Sequence, residues 1–345
     1  MCTILFFFRS IFTVSCRFYL VVGGSRNGQL QIAARGRAIK TSLEESVSVS
    51  RFALDAALVE HAIAAGSDFL GSALVRSCVL ADSGDAVHVG TQAGEARLTS
   101  KIAVIANGLG SSLGANQNGR LHVADNSWLG AGVVFTDQEL IVPPGTIWMT
   151  CGEGGYVGVV RVEDDQVAVA AALDPKLIET AGGIGNAVVR IFSDAKRDLF
   201  PLDWNRLDWR GTPLLTRQAD SVAMKRIFAI GDATGYIEPF TGEGMGWAMQ
   251  SAVALHPLVI KGVDRWDDDL SDQWSRDHRR LIVRHQRFCR FVAGWLRRPW
   301  AVSSAVTIFS VAPFLIRPLI ARVQSAQWRR PCARKERDRA LRSRD

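Results

Sequence analysis

The amino-acid sequence predicts an α/β fold in which two mixed segments flank an antiparallel sheet and helices follow. Three observations lead to this class. Short apolar runs at residues 102–106 and 227–230 are typical of buried strands, and each ends at a glycine-containing turn. Strand-like segments separated by turn residues lie between those two runs. Residues 264–298 and 300–323 then follow helical patterns that are bounded or interrupted by proline.

The most informative segment is residues 226–250, RIFAIGDATGYIEPFTGEGMGWAMQ. A strand leads into a loop, and a helix begins near Met245. Asp232 can accept hydrogen bonds from sugar-type hydroxyls, and the helix N-terminus offers free N–H groups and a partial positive charge. The residues expected to form this polar-ligand loop are Gly231, Asp232, Pro239, Gly242, Gly244, Met245 and Gly246. An ordinary strand–turn–helix that uses its glycines only for turning is the structural alternative.

Residues 50–66 predict a capped amphipathic helix. Ser50 is a suitable N-cap, and Gly66 is a suitable stop. Arg51 stands at the first helical position, where it is either a solvated side chain or part of a binding site. The apolar face expected to pack inward consists of Phe52, Leu54, Leu58, Val59, Ala62 and Ile63.

A buried strand at residues 102–106 ends at Asn107-Gly108 and continues into a glycine–serine turn. The Asn107 amide offers both a donor and an acceptor, but no charge. By itself this segment predicts either an ordinary strand-end turn or a turn that lies against a ligand.

In their order along the chain, these three segments resemble those of FAD-dependent oxidoreductases, the family of aromatic hydroxylases (group A monooxygenases) and geranylgeranyl reductases. The resemblance implies that Asp232 binds the ribityl chain of the flavin. It also implies that the backbone of residues 244–246 faces the pyrimidine end of the isoalloxazine, and that Arg51 contacts FAD. Asn107 and Gly108 are placed near the cofactor, in a motif that supports nicotinamide use and usually carries aspartate at position 107.

The resemblance further implies a Rossmann-like FAD/NAD(P)-binding domain with an inserted antiparallel β-sheet substrate domain and C-terminal helices. No strand–Gly-x-Gly-x-x-Gly–helix segment precedes residue 50, so the FAD-binding domain is expected to be truncated at its N-terminus. Residues 24–28 are expected instead to turn a β-hairpin. The assigned segments are an apolar leader at 1–22, the FAD-binding domain at 23–114 and 216–262, the substrate sheet at 115–215, helices at 263–327 and a basic tail at 328–345.

The substrate domain is expected to contain four strands, a tight turn and one helix. The strands are predicted at residues 131–135, 145–150, 155–162 and 166–173, the turn at 163–165 and the helix at 177–194. Aromatic residues in this domain either line a hydrophobic substrate pocket or pack on the faces of the sheet. They are Trp128, Phe135, Trp148 and Tyr156.

The function expected by elimination is hydroxylation of a small hydrophobic substrate, aromatic or polyketide-like, with FAD as cofactor and NADH or NADPH as electron donor. Residues 155–161 lack the Tyr-x-Trp-x-Phe-Pro-Lys pattern of polyprenyl reductases, and the sequence contains no Trp-x-Trp-x-Ile-Pro stretch of flavin-dependent halogenases. Two alternatives stay open: an FAD-dependent reductase of isoprenoid double bonds, and a truncated inactive remnant or substrate-binding module. No residue is assigned a catalytic role, because the flavin carries the redox chemistry.

Composition and charge limit the remaining classes. The net charge of +7 is concentrated in residues 328–345, a pattern typical of a solvated end or of peripheral contact with an anionic membrane surface. No groove-reading motif predicts specific nucleic-acid binding. The six cysteines are scattered and the six histidines form no metal-spaced pair, so we expect no metal site and a reducing, cytoplasmic compartment. His278 and His285 are expected on a solvated helix face.

Overall fold

A computed structural model describes residues 24–91, 97–110, 121–137, 142–197, 200–238, 240, 242, 244–312 and 315. These residues form a mixed α/β fold, as the sequence predicts. The strands in these ranges are β1 Ser25–Ala34, β2 Arg37–Ser48, β3 Val75–Leu80, β4 Val87–Thr91, β5 Arg97–Ser100, β6 Ala103–Ile105, β7 Leu121–Val123, β8 Leu129–Thr136, β9 Thr146–Gly152, β10 Gly155–Arg161, β11 Gln166–Leu173, β12 Arg210–Leu214, β13 Arg217–Ala219, β14 Ala223–Met224, β15 Ile227–Ala229 and β16 Gly235–Tyr236. The α-helices in the same ranges are α1 Arg51–Ala64, α2 Pro175–Ala181, α3 Ile184–Asp194, α4 Gly244–Asp264, α5 Asp269–His278, α6 Arg284–Leu296 and α7 Pro299–Val311.

The largest sheet among the described residues has seven strands in the order β12-β8-β11-β10-β9-β1-β2. Its strand pairs are antiparallel except β1 and β9, which run parallel. The four strands predicted in the substrate domain are present as β8 to β11. Asp164 and Asp165 both take positive φ, 51° and 54°, in the turn between β10 and β11. A turn with two positive φ angles matches the twist of the flanking strands, so this predicted hairpin is confirmed.

The first hairpin differs from its prediction. Residues 25–28 lie inside β1, and the tight turn is Arg35-Gly36, with φ angles of 47° and 77°. The pairing of β1 with β2 shifts register between Asn27 and Gln29, where Gly28 alone stands opposite residues 43–45 of β2. Gly28 therefore lies at an irregularity of the strand pair and not in a turn. Because β1 pairs with β9, the hairpin extends the seven-stranded sheet, whereas the sequence assigned it to the FAD-binding segment.

The seven-stranded sheet buries side chains on both faces. The front face packs against α7, and its core includes Leu30, Ile147, Met149, Tyr156 and Val306. The back face packs against α2 and α3, with a core that includes Val157, Val159, Val169, Ile191 and Phe192. Successive side chains of a strand point to opposite faces, so continuous apolar strands such as β10 serve both cores.

The single helix predicted at residues 177–194 is wrong, because two helices, α2 and α3, occupy this segment. They are separated by Gly182 and Gly183, whose φ angles are 78° and 144°. Gly182 ends α2 in the left-handed conformation, as glycine does at many helix ends. Asp174 begins α2, and its carboxylate accepts a hydrogen bond from the Lys176 N–H at 2.9 Å.

Helix α1 forms where the sequence predicts it. The Ser50 hydroxyl accepts a hydrogen bond from the Ala53 N–H at 3.1 Å, and the Ser50 N–H donates to the Glu163 carboxylate at 2.8 Å. The second bond ties the start of α1 to the β10–β11 turn. The predicted inward face is largely wrong, since Leu54 is buried whereas Phe52 is 67% exposed and Leu58 and Ile63 are also exposed.

The C-terminal helices follow their prediction in outline. Helices α5 and α6 form one continuous helical segment, because a single π-helical turn at Arg279–Val283 joins them. Helix α7 begins after a break at Arg297-Arg298, with Pro299 in its first turn. Within the described ranges, no helix combines the length and apolar character needed to cross a bilayer. The leader at 1–22, the tail at 328–345 and the prolines at 313 and 318 lie outside the described residues.

Candidate functional site

Two parallel strands bring the predicted loops together. β6 and β15 pair in parallel, and the Ile230 N–H donates to the Ile105 carbonyl at 2.9 Å just beyond the pairing. Parallel strands deliver their following residues to the same edge of a sheet, which is where ligands bind in α/β folds. Asn107-Gly108 follows β6, and Gly231-Asp232 follows β15. Each continues into a short 3₁₀ turn, and the two turns are in contact.

Asp232 is the second of the four residues of the 3₁₀ turn Gly231–Thr234, and it is partly buried. Burial raises the pKa of the Asp232 carboxyl to about 6, while the positive charge of Arg51 acts in the opposite direction. Arg51 also pairs with Asp55 one turn further along α1, at 2.7 Å. The structure therefore brings Arg51 within electrostatic range of Asp232, two residues that lie far apart in the sequence.

Gly231 requires a conformation that other residues rarely adopt. Its φ is +59°, and its N–H donates to the Ser251 hydroxyl at 3.2 Å. A Cβ at this position would lie 3.1 Å from the Cβ of Ala248. The turn is thus packed directly on the second turn of α4, and this close approach needs glycine.

The start of α4 lies beside the same turn. Gly244, Met245 and Gly246 form its first turn, where backbone N–H groups have no partner within the helix. Gly242 precedes them with a φ of +70°, and a Cβ on Gly244 would lie 3.3 Å from the Tyr236 ring. Pro239, the remaining predicted loop residue, lies outside the described residues.

The Asn107 turn leaves space beside it. Asn107 is exposed, and Gly108 has a φ of +68° with no atom of the described residues within 4 Å of an added Cβ. An amide, a partly buried carboxylate, a cation from α1 and a helix N-terminus thus surround one edge of the β6–β15 pair. This donor and acceptor set suits a large ligand that carries hydroxyls and an electron-rich ring edge.

A buried histidine behind this turn was missed by the sequence analysis. His278 was expected on a solvated face, but it is only 4% exposed, and burial lowers its pKa to about 4. Its Nε2 lies 3.0 Å from the Thr234 hydroxyl. Asp232 and His278 line the same small cavity of ≈ 10 Å³, about the volume that one water molecule needs. Buried Trp274 and Leu270 on the same helix show that this face of α5 packs inward.

The four aromatic residues predicted to line a pocket separate into two groups. Trp128 and Tyr156 belong to the front core, with ring centroids 6.0 Å apart, and Phe240 lies 5.1 Å from Tyr156. Phe135 and Trp148 pack with the back core. The alternation of strand residues explains the division, since Trp148 stands between the front-facing Ile147 and Met149. Only the front group lies near the segment that follows Asp232.

A buried ion pair accompanies the front aromatic group. Glu238 is 2% exposed, and one of its carboxylate oxygens accepts a hydrogen bond from Arg297. The Arg297 guanidinium also lies 5.3 Å from the Trp128 ring centroid. Burial lowers the pKa of Arg297 and raises that of Tyr156 well above its usual value. The second Glu238 oxygen and the Tyr156 hydroxyl have no partner among the described residues. The sequence offers only a weak signal of this burial: Glu238 stands between two apolar residues of the loop.

No protein-family model matches this chain, and its sequence matches no curated protein. Solved structures do resemble it. The p-nitrophenol 4-monooxygenase PnpA from Pseudomonas putida DLL-E4 has a TM-score of 0.68 at 16% identity, over 89% of this chain and 82% of PnpA. The flavin-dependent brominase Bmp2 has a TM-score of 0.61 at 13% identity, over 90% of this chain and 85% of Bmp2. The flavin-dependent halogenase CmlS has a TM-score of 0.61 at 17% identity, over 77% of this chain.

At these identities the likeness shows the fold. The chain has the mixed α/β fold of PnpA and of flavin-dependent halogenases, so the α/β fold class predicted from the sequence is confirmed. The resemblance stated from the sequence motifs is confirmed at the same level. The matched region corresponds to about half the length of CmlS, at 52%.

Proposed function

We propose that this chain is an FAD-dependent oxidoreductase and, more narrowly, a monooxygenase that uses NADH or NADPH to hydroxylate a small hydrophobic molecule. The observation that carries the proposal is the meeting of the Asn107 and Asp232 turns at the carboxyl ends of β6 and β15, beside the N-terminus of α4. The fold shared with PnpA and with flavin-dependent halogenases supports the same cofactor.

The residues at this edge fit FAD in kind. Asp232 is a carboxylate acceptor for ribityl hydroxyls, and Arg51 supplies a cation close to it. The first N–H groups of α4, from Gly244 to Gly246, are donors for the electron-rich pyrimidine edge. Asn107 adds an uncharged amide, and open space adjoins Gly108. When bound, FAD supplies hydride acceptance and oxygen chemistry, whereas these residues bind, orient and shield it.

The substrate side of the proposal rests on the front aromatic group. Trp128, Tyr156 and Phe240 present apolar rings between the seven-stranded sheet and the segment that follows Asp232. Such rings favour a hydrophobic, aromatic or polyketide-like substrate. The buried pair of Glu238 and Arg297 adds two polar groups to otherwise apolar surroundings, which suits a substrate that carries one polar substituent.

Halogenation is a second candidate, because flavin-dependent halogenases such as CmlS and Bmp2 share the fold. The absence of the Trp-x-Trp-x-Ile-Pro stretch from the sequence argues against it. Reduction of isoprenoid double bonds is a third candidate, and the altered residues at 155–161 disfavour it. The three activities differ in what they consume: hydroxylation needs oxygen, halogenation needs oxygen and halide, and reduction needs neither.

The cofactor is tested by incubating the purified chain with FAD, desalting it and recording a visible spectrum. We expect retained flavin bands, a large loss of them in Asp232→Ala, and no loss in Asp264→Ala, whose side chain is exposed at the far end of α4. A colourless wild-type chain, or equal retention by the two variants, would contradict the proposed site.

The reaction is tested next, with NADH or NADPH and a panel of phenols and polyketide-type aromatics, in air and under nitrogen, with and without bromide. A hydroxylated product that requires oxygen supports the monooxygenase. A brominated product supports the halogenase instead, and turnover under nitrogen contradicts both.

A further inference from the structure

A cavity lies away from Asp232, on the back face of the seven-stranded sheet. It has a volume of about 400 Å³, within the range of sites that hold small molecules. Its walls come from β1, β2 and β9 on one side and from the end of α3 and the following turn on the other. Its lining includes Gln31, Lys40, Trp148, Lys196, Arg197 and Phe200.

Three cations line this back-face cleft. Lys40, Lys196 and Arg197 contribute one positive charge each, and no aspartate or glutamate is among its described lining residues. Lys40 and Lys196 are exposed, whereas Arg197 is partly buried. Like charges gathered in one concave surface raise the local concentration of anions. The positive potential of the cleft therefore favours the binding of a negatively charged ligand.

The Arg197 guanidinium is held in a defined position. It lies 5.3 Å from the centroid of the Trp148 ring. With its amide oxygen toward Arg197, Gln31 accepts hydrogen bonds from both terminal amino groups, at 2.8 and 3.0 Å. Gln31 is itself only 4% exposed, so it anchors the guanidinium from inside the sheet. Each terminal amino group still carries a second N–H for a ligand.

The cleft also offers an aromatic wall. The Trp148 and Phe200 rings meet edge to face, with centroids 6.0 Å apart. The indole N–H of Trp148 is buried and has no hydrogen-bond partner among the described residues.

We propose that this back-face cleft binds a small aromatic carboxylate. The carboxylate pairs with Arg197, assisted by Lys196, because a guanidinium presents parallel N–H groups that match two carboxylate oxygens. The aromatic ring packs against Trp148 and Phe200. The site is separate from the proposed flavin site, since the sheet lies between the back core and the front core, which contains Tyr236 and Phe240 of the segment after Asp232.

The test uses isothermal titration of the full-length chain with 2-naphthoate and with its neutral isostere 2-naphthamide. We expect the acid to bind at least tenfold more tightly than the amide. Arg197→Gln should weaken naphthoate binding at least tenfold, and Lys196→Gln should weaken it about threefold through charge alone. Lys176→Gln is the matched control, because Lys176 is an exposed lysine on α2 outside the cleft.

Asp232→Ala should bind naphthoate as the wild type does, which keeps the outcome independent of the proposed flavin site. Failure to bind naphthoate, equal affinity for acid and amide, or wild-type affinity in Arg197→Gln would each overturn the proposal. Thermal melting confirms that the variants are folded. If Arg197→Gln unfolds, the affinity of Lys196→Gln for naphthoate tests the proposal instead. An affinity equal to that of Lys176→Gln would overturn it.

Discussion

His278 Nε2 lies 3.0 Å from the Thr234 hydroxyl, at the back of the turn that carries Asp232. Thr234 uses its own hydrogen to donate to the Gly231 carbonyl at 2.7 Å, so His278 is the donor in the first bond. Two hydrogen bonds in series thus connect α5 to the residue before Asp232. Because burial lowers the pKa of His278 to about 4, the imidazole is neutral at pH 7 and holds the turn without adding charge.

The pH dependence of stability should report this histidine. A histidine whose pKa falls from 6.5 in the unfolded chain to about 4 in the folded one stabilises the fold above pH 6.5, and this contribution is lost as the pH falls toward 4. The full loss amounts to about 3 kcal/mol. We expect the difference in unfolding free energy between wild type and His278→Gln to shrink by that order between pH 7 and pH 4, measured by urea denaturation.

Asp232 acts in the opposite sense, so the comparison with a variant is necessary. Its carboxyl has a raised pKa, and its contribution is present below pH 3.8 and lost as the pH rises through about 6. In the wild type alone, the opposite contributions of His278 and Asp232 to the unfolding free energy would partly cancel as the pH changes. A free-energy difference between wild type and His278→Gln that stays constant over this pH range would mean that His278 is not buried as the structure has it.

Gly231 should not tolerate a side chain. Its φ of +59° costs an L-residue about 1–2 kcal/mol, and the added Cβ would press on Ala248. Gly231→Ala should therefore lower the free energy of unfolding by at least that amount and reduce FAD retention. Gly294→Ala is the control, because Gly294 lies inside α6 and no atom from the described ranges comes within 4 Å of its added Cβ. That substitution should stabilise the protein by about 0.5–1 kcal/mol. If both substitutions changed the free energy of unfolding in the same direction, this account of the Gly231 turn would be contradicted.

The part of the site that could be predicted from the sequence is the part formed by one contiguous segment. The strand, Gly231-Asp232 and the start of α4 near Met245 follow one another in the sequence, and the glycines and apolar run identify each of them. The proximity of Arg51 to Asp232 could be expected only through the family resemblance. His278 and Arg297 lie in a basic helical region where neighbouring charges suggest solvent, and only tertiary packing reveals that both side chains reach the interior.

The fold shows the same limit. Strands β8 to β11 were located from local alternation and turn residues, and these signals are contained in the segments themselves. The parallel pairing of β1 with β9 joins residues more than 100 positions apart, and no local pattern encodes it. Gly28 misled the prediction because glycine occurs both in turns and at irregularities of a strand pair, and here it lies at the latter. The pair Gly182-Gly183 was a readable helix break that the predicted helix at 177–194 overlooked.

Removal of one partner of the Glu238–Arg297 pair should be strongly destabilising. The Glu238 side chain is fully buried, so Arg297→Met leaves a carboxylate without its cation, at a cost of about 3–5 kcal/mol. The double variant Arg297→Met with Glu238→Gln should be less destabilised than the sum of the two single variants, because it buries no unpaired charge. Arg298→Met, at an exposed position next in the chain, should change stability by less than about 0.5 kcal/mol. Additive effects in a urea-denaturation cycle would show that the two groups do not interact.

The affinity for FAD should depend on the ionisation of Asp232. Only the carboxylate form accepts hydrogen bonds with both oxygens, and burial raises its pKa to about 6 against the charge of Arg51. The carboxyl becomes protonated as the pH falls from 7.5 to 5, so FAD binding should weaken over this interval, with the change centred near pH 6. Asp232→Asn should bind weakly and show no such change, because its amide does not titrate. Arg51→Gln should move the midpoint to higher pH, since it removes the cation that favours the ionised form. Fluorescence titration of FAD at each pH measures all three chains, and a wild-type affinity that is flat from pH 7.5 to pH 5 would remove Asp232 from the binding site.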